Sequence, residues 1–194
     1  MKRVISILTA LLYITSCSKD LPVLGGYYSG SFTMLNQDSV LVEFPELVKG
    51  KTTLIGFIFT NCPDICPLTT NNMRLVQERL KKENITGVEF VSISFDPVHD
   101  TPSVLSRFAE IRDLDLSNWC FLTGEQTAVD SILKRSGVFA VPGDTSVTSS
   151  GEEIVFFIHT DRISLMDAEG RIRANYPGSR ADIDKIVEDI KTLE

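Results

Sequence analysis

Cysteine is scarce in this 194-residue chain, with four in all: Cys17, Cys62, Cys66 and Cys120. A small fold stapled by disulfides needs more, so each cysteine is to be read individually. Positive charge is also short, with 19 Lys and Arg against 26 Asp and Glu and a formal net charge of −7. That balance argues against nucleic acid as a partner, because counterion-release binding needs clustered Lys and Arg. The acidic residues are dispersed, as on an ordinary solvated surface. No apolar run reaches the roughly 20 residues of a membrane-spanning helix, and there is no internal repeat or low-complexity segment. Histidine is confined to His99 and His159, and tryptophan to Trp119.

What is present is a hydrophobic fraction of 43%, enough for the core of one ordinary domain. Residues 1–16 combine a basic start (Lys2, Arg3) with the apolar stretch Val4–Ile14, the pattern of a secretory signal. Ile14-Thr15-Ser16-Cys17 resembles a bacterial lipobox, with Ile where Leu is usual, so Cys17 is a candidate for acylation. The expectation is a lipid-anchored protein of the bacterial cell envelope, with its domain outside the cytoplasm on the periplasmic side. Residues 17–30 read as a Gly- and Pro-bearing tether and residues 31–194 as a single domain.

Within the domain, Ser31–Leu35 and Val40–Glu43 read as a hairpin. Thr53–Thr60 and Val88–Phe95 read as buried strands, and Trp119–Thr123 as a third. Helices are expected over Pro67–Lys82, with Leu68, Met73, Val76 and Leu80 on its apolar face, and over Ser103–Ile111, Glu125–Ser136 and Ala181–Leu193. Pro142–Glu153 is polar and is expected as a mobile loop. Ile154–Ile158 is extended up to His159, and Arg162–Met166 with Arg171–Tyr176 form a hairpin. Strands alternating with helices give an α/β fold around a mixed sheet.

The chemistry concentrates at Cys62-Pro63-Asp64-Ile65-Cys66, between a buried strand and the first turn of a helix. The partial positive charge of a helix N-terminus favours thiolate, which is both nucleophile and metal ligand. Three readings stand open. A structural disulfide would close a very small loop, where cross-linking stabilises least. A redox dithiol usually has two intervening residues rather than three. Metal binding by two thiolates and an imidazole suits a soft or borderline ion, Cu(I), Cu(II) or Zn. His159 is the imidazole candidate, because it ends an apolar strand where α/β sites gather. Asp96 is either a turn or capping carboxylate or a site residue. His99, in a Pro-bounded polar loop, reads as solvated, and Cys120, inside a strand, as a buried inert thiol. A thiol peroxidase is disfavoured: Phe59 occupies the place, three residues before Cys62, where peroxiredoxins carry Thr.

Four stretches in order resemble the Sco (SenC/PrrC) family of copper chaperones. They are Gly56-Phe-Ile-Phe-Thr-Asn-Cys-Pro-Asp-Ile-Cys-Pro67, Ser92-Ile-Ser-Phe-Asp-Pro-Val-His-Asp-Thr-Pro102, Trp119-Cys-Phe-Leu-Thr-Gly124, and Ile158-His159 followed by Ile163-Ser-Leu-Met-Asp-Ala-Glu-Gly170. The resemblance covers roughly Ser31 to Glu194. It implies a thioredoxin-like fold with an extra N-terminal β-hairpin, and copper held by Cys62, Cys66 and His159 with Asp96 as an accessory. It also implies membrane attachment and delivery of copper to the CuA site of cytochrome c oxidase subunit II. A thiol–disulfide oxidoreductase that reduces the cysteines of a copper-site partner is the alternative function. Monomer is the default oligomeric state.

Overall fold

The computed structural model describes residues 20–27, 30–62, 65–147 and 153–194. The expected signal segment and the candidate acylation site Cys17 lie outside the described residues, as do Pro63 and Asp64. In chain order the strands are β1 (Gly25–Gly26), β2 (Phe32–Asn36), β3 (Leu41–Phe44), β4 (Thr52–Ile58), β5 (Val88–Ser94), β6 (Trp119–Thr123), β7 (Ala140–Val147), β8 (Glu153–His159), β9 (Ile163–Met166) and β10 (Arg171–Tyr176). The helices are α1 (Ile65–Lys82), α2 (Pro102–Ile111), α3 (Gln126–Ser136) and α4 (Ile183–Lys191).

Strand β4 is the axis of the sheet. All seven of its residues are buried, the mark of a central strand covered on both faces. It pairs in parallel with β5, and β5 in parallel with β6, with α1 and α2 as the crossovers. On its other side β9 runs antiparallel, setting Gly56 opposite Ile163. The full order is β1-β10-β9-β4-β5-β6-β2-β3, a mixed sheet flanked by helices. The β2–β3 hairpin is the expected N-terminal addition, joined to β6 through Leu35 opposite Thr123. Trp119 stacks on Phe121 with centroids 5.7 Å apart, deep in the core.

Four local expectations are revised. The polar segment Pro142–Glu153 is not simply a loop: residues up to Val147 form β7, which pairs with β8 as a separate two-stranded sheet, Ala140 opposite His159. Residues 20–27 of the expected tether are held to the domain, because Gly25 and Gly26 pair with β10. Arg173, itself buried against Asp167, also donates to Asp20 and to the Leu21 carbonyl. Helix α1 starts at Ile65, which puts Cys66 inside its first turn. Leu68 is 47% exposed while Thr69 and Thr70 face inward. Counting back three and four from the buried Met73 gives Thr70 and Thr69, and Leu68 falls off that face.

Candidate metal centre

The parallel arrangement of β4 and β5 brings their carboxyl ends, the N-terminus of α1 and the end of β8 to one pole of the molecule. Past Ile58 the chain turns: the Cys62 amide donates to the Phe59 carbonyl at 3.3 Å, and α1 begins three residues later. Backbone amides then face sulfur. Phe59 N–H donates to Cys66 Sγ at 3.5 Å, and Cys66 N–H donates to Cys62 Sγ at 3.3 Å. Such donors, with the helix N-terminal dipole, favour sulfur in its anionic form. Cys66 is 1% exposed and Cys62 9%. The Cys66 thiol is nevertheless pushed well above its ordinary range, first because its proton is hydrogen-bonded to Cys62 and then by burial. In the metal-free pair Cys66 therefore holds its proton, which an incoming metal must displace.

His159 closes the group. Its ring lies 5.0 Å from the Phe95 ring and 6.0 Å edge-on from Phe59, centroid to centroid. Nδ1 lies 3.3 Å from the Thr160 carbonyl. A proton on Nδ1 leaves Nε2 with the lone pair a metal needs. Burial alone would depress the imidazole, but hydrogen bonds to Cys62 and to the Thr160 carbonyl, with the charges of Cys62 and Asp161, outweigh it and raise its pKa. The sulfurs of Cys62 and Cys66 and a ring nitrogen of His159 all lie within 4.8 Å of one another. Two soft sulfurs and one imidazole around a single point can hold a soft or borderline ion, and three donors leave the shell incomplete.

Asp96 is 5% exposed and lies outside this group. Both of its carboxylate oxygens are 2.9 Å from His99 Nδ1, while the His99 ring is itself exposed, as its polar loop suggested. Cys120, on β6, is pushed up to about 12 by burial and by the Glu89 charge, which suits an inert thiol. The residue that sequence reading undervalued is Asp100. Fully buried, it accepts from Thr60 N–H at 3.1 Å, Thr60 Oγ1 at 2.5 Å and Ser94 Oγ at 2.5 Å, fixing the approach to Cys62. Burial raises its carboxyl, against the pull of those hydrogen bonds. The second carboxylate adjoining the site, Asp161, reaches across to α1.

With this geometry in hand, comparison with known proteins is decisive. The family model described as SCO1/SenC matches residues 24–194. The chain belongs to the SCO1/SenC family. The SCO1 protein homolog of Bacillus subtilis (strain 168) is 36% identical over 163 residues, spanning 83% of this chain and 80% of that one. Among solved structures, BsSco is described as a member of the Sco family of cytochrome c oxidase assembly proteins with a disulfide switch. It superposes with a TM-score of 0.72 at 32% identity, covering 90% of this chain and 98% of BsSco. Bradyrhizobium japonicum ScoI, solved with copper bound, superposes with a TM-score of 0.68 at 27% identity, covering 85% of this chain and 98% of ScoI. The thioredoxin-like SCO1/SenC fold expected from the motifs is the fold observed.

Proposed function

We infer that the protein carries copper, held by Cys62, Cys66 and His159, and hands it to the CuA site of cytochrome c oxidase subunit II. The observation that carries this reading is the convergence of two sulfurs and one imidazole nitrogen within 4.8 Å, from segments nearly a hundred residues apart. Family membership and the copper-bound relative support the choice of ion. Copper is cargo here. Two buried sulfurs supply the affinity, and an incomplete shell leaves room for a partner's ligand to enter during exchange. The test is anaerobic chelator competition on the reduced full-length protein. Wild type binds one Cu(I) tightly, and Cys62→Ser, Cys66→Ser and His159→Ala each weaken it. A Cys62→Ser variant with wild-type affinity would falsify the reading. Delivery is checked by following metallation of an apo CuA domain mixed with the loaded protein.

A second reading, thiol–disulfide exchange, is favoured by the closeness of the two sulfurs, within 4.8 Å of each other with Cys66 N–H donating to Cys62 Sγ at 3.3 Å. Cys62 sulfur would attack a partner disulfide and release one partner thiolate. Cys66 would then pass its proton to the partner thiolate already released and attack Cys62 sulfur, releasing the second thiolate. Two electrons pass to the partner and a Cys62–Cys66 disulfide remains. His159→Ala separates the two readings, since it should weaken copper binding and spare exchange.

The membrane attachment rests on residues 1–17. No helix among the described residues is long and apolar enough to cross a membrane. The lipobox-like Ile14–Cys17 supports acylation at Cys17 after removal of residues 1–16. Mass spectrometry of the mature N-terminal peptide checks it: an unmodified Cys17 excludes the anchor.

A further inference from the structure

We propose that Asp161 is a positioning residue for the copper site: its carboxylate clamps the His159 loop to the helix that carries Cys66, and so sets the reach between imidazole and dithiol. The inference rests on the copper reading above and adds to it a residue outside the ligand set.

His159 ends β8, in the two-stranded sheet that is separate from the central one. Two kinds of contact hold that end of the hairpin to the body. One is apolar: Phe157 meets Phe59 and Phe95 at centroid distances of 5.2 and 5.3 Å. Ring contacts bring surfaces together without fixing an ångström of register. The other is directional. Two residues beyond His159, Asp161 Oδ1 lies 3.2 Å from Thr69 Oγ1, whose hydroxyl it shares with the Ile65 carbonyl at 3.2 Å, and Thr69 lies on α1 within one turn of Cys66. The same carboxylate accepts from Ser179 N–H at 2.9 Å and from Ser179 Oγ at 2.6 Å. Asn72, also on α1, donates to the Gly178 carbonyl at 2.8 Å. One carboxylate thus ties together the His159 loop, the Cys66 helix and the loop after β10.

The packing around this carboxylate is independently tight. A Cβ at Gly178 would overlap Asp161 Oδ1 and stand 2.6 Å from Thr69 Oγ1, so the 178–179 backbone lies directly on the Asp161–Thr69 pair. The neighbouring side chain cannot take over the task. Arg162 turns the other way, donating to the Ser136 and Gly137 carbonyls at the end of α3 at 2.8 and 2.9 Å. Asp161 is the described residue of this turn whose side chain reaches the cysteine helix.

A group that orients a metal-binding histidine changes affinity without touching the metal, typically by about 10–100-fold. The experiment is a double-mutant cycle on the full-length reduced protein, with Cu(I) affinity measured by anaerobic competition. Asp161→Ala is expected to weaken Cu(I) about tenfold in the wild-type background and to have no further effect in a His159→Ala background. Loaded with Cu(II), the variant should lose the single set of imidazole nitrogen couplings in pulsed electron paramagnetic resonance. Thr69→Val, which removes only the α1 side of the clamp, gives the same pattern in smaller measure and serves where Asp161→Ala folds poorly. An Asp161→Ala affinity within about twofold of wild type, with His159→Ala strongly impaired, overturns the positioning role alone. An equal loss in both backgrounds also overturns it, since Asp161 would then act on the fold and not through His159. If His159→Ala itself leaves copper affinity unchanged, the copper reading fails and takes this role with it.

Discussion

Gly56→Ala is the most direct probe of how the core sets the site. Gly56 sits in mid-β4, in register with Ser92 on one side and Ile163 on the other, so the strand cannot retreat within the sheet. A Cβ there would stand 2.5 Å from Met73 Sδ, 3.4 Å from Met73 Cε and 3.9 Å from Thr69 Cγ2. Met73 is fully buried, so its sulfur has no solvent to move into. Either its side chain leaves its preferred rotamer or α1 lifts from the sheet. Overpacking of this kind costs about 2 kcal/mol. With a urea m-value of about 2.5 kcal/mol per M for a domain of this size, the midpoint should fall by about 0.8 M. Trp119, the single tryptophan and 2% exposed, reports the transition by fluorescence. Met73→Ala makes room, at the cost of a cavity of its own, and in that background Gly56→Ala should cost less than about 0.5 kcal/mol. Met73 and Cys66 are both buried, two turns apart on α1, so the single variant should also bind copper more weakly. A cost below about 0.5 kcal/mol in the wild type, or an equal cost in both backgrounds, refutes the steric argument.

Asp100→Ala removes the acceptor for Thr60 N–H, Thr60 Oγ1 and Ser94 Oγ at a fully buried position. It should cost at least about 2 kcal/mol in denaturant and speed the reaction of Cys62 and Cys66 with a thiol reagent; unchanged thiol kinetics would show that Thr60 does not shape the loop. Tyr27, buried beside Ser136, has its hydroxyl raised from 10.0 to about 12, first by burial. A raised folded value means the stabilisation is whole below pH 10 and lost as pH climbs from 10 to about 12, on the order of 3 kcal/mol in all. Tyr27→Phe should flatten that alkaline limb in pH-dependent unfolding, and an unaltered limb would assign it elsewhere.

The segments that sequence reading located well are those whose burial writes a pattern. Strands β4, β5 and β6 are buried on both faces, and their stretches rich in Val, Ile, Leu and Phe are visible at once. The dithiol and His159 were legible because each stands where an apolar run stops. Strand β7 was not, because its far half lies open: Thr145, Ser146 and Val147 are all exposed, and no alternation marks them. Strand β1 pairs through two glycine backbones, which carry no side-chain signal. Asp100 and Asp161 carry no local mark of their roles because their partners, Thr60 and Thr69, lie 40 and 92 residues away. Nothing in a local window distinguishes a carboxylate that caps its own turn from one that pins a distant loop.

Those same carboxylates bear on which ion the site accepts. Three aspartates stand around the dithiol and the imidazole, and each is engaged by donors of the protein itself. Asp100 takes Thr60 and Ser94, Asp96 takes His99, and Asp161 takes Thr69 and Ser179. Moving any of them toward a metal would strand those partners, of which Ser94 and Thr69 are buried, at about 1–3 kcal/mol for each buried group left unpaired. Calcium and magnesium need a shell of oxygens, and the carboxylates of these three aspartates are already committed. Among the described side chains, the sulfurs and the imidazole nitrogen are what remains to a metal, held by amides at a helix N-terminus and by the aromatic wall of Phe59 and Phe95. Selection for a soft ion therefore does not reside in the three donors alone. It also follows from the hydrogen bonds that keep acidic side chains, abundant in a chain of net charge −7, out of the coordination sphere.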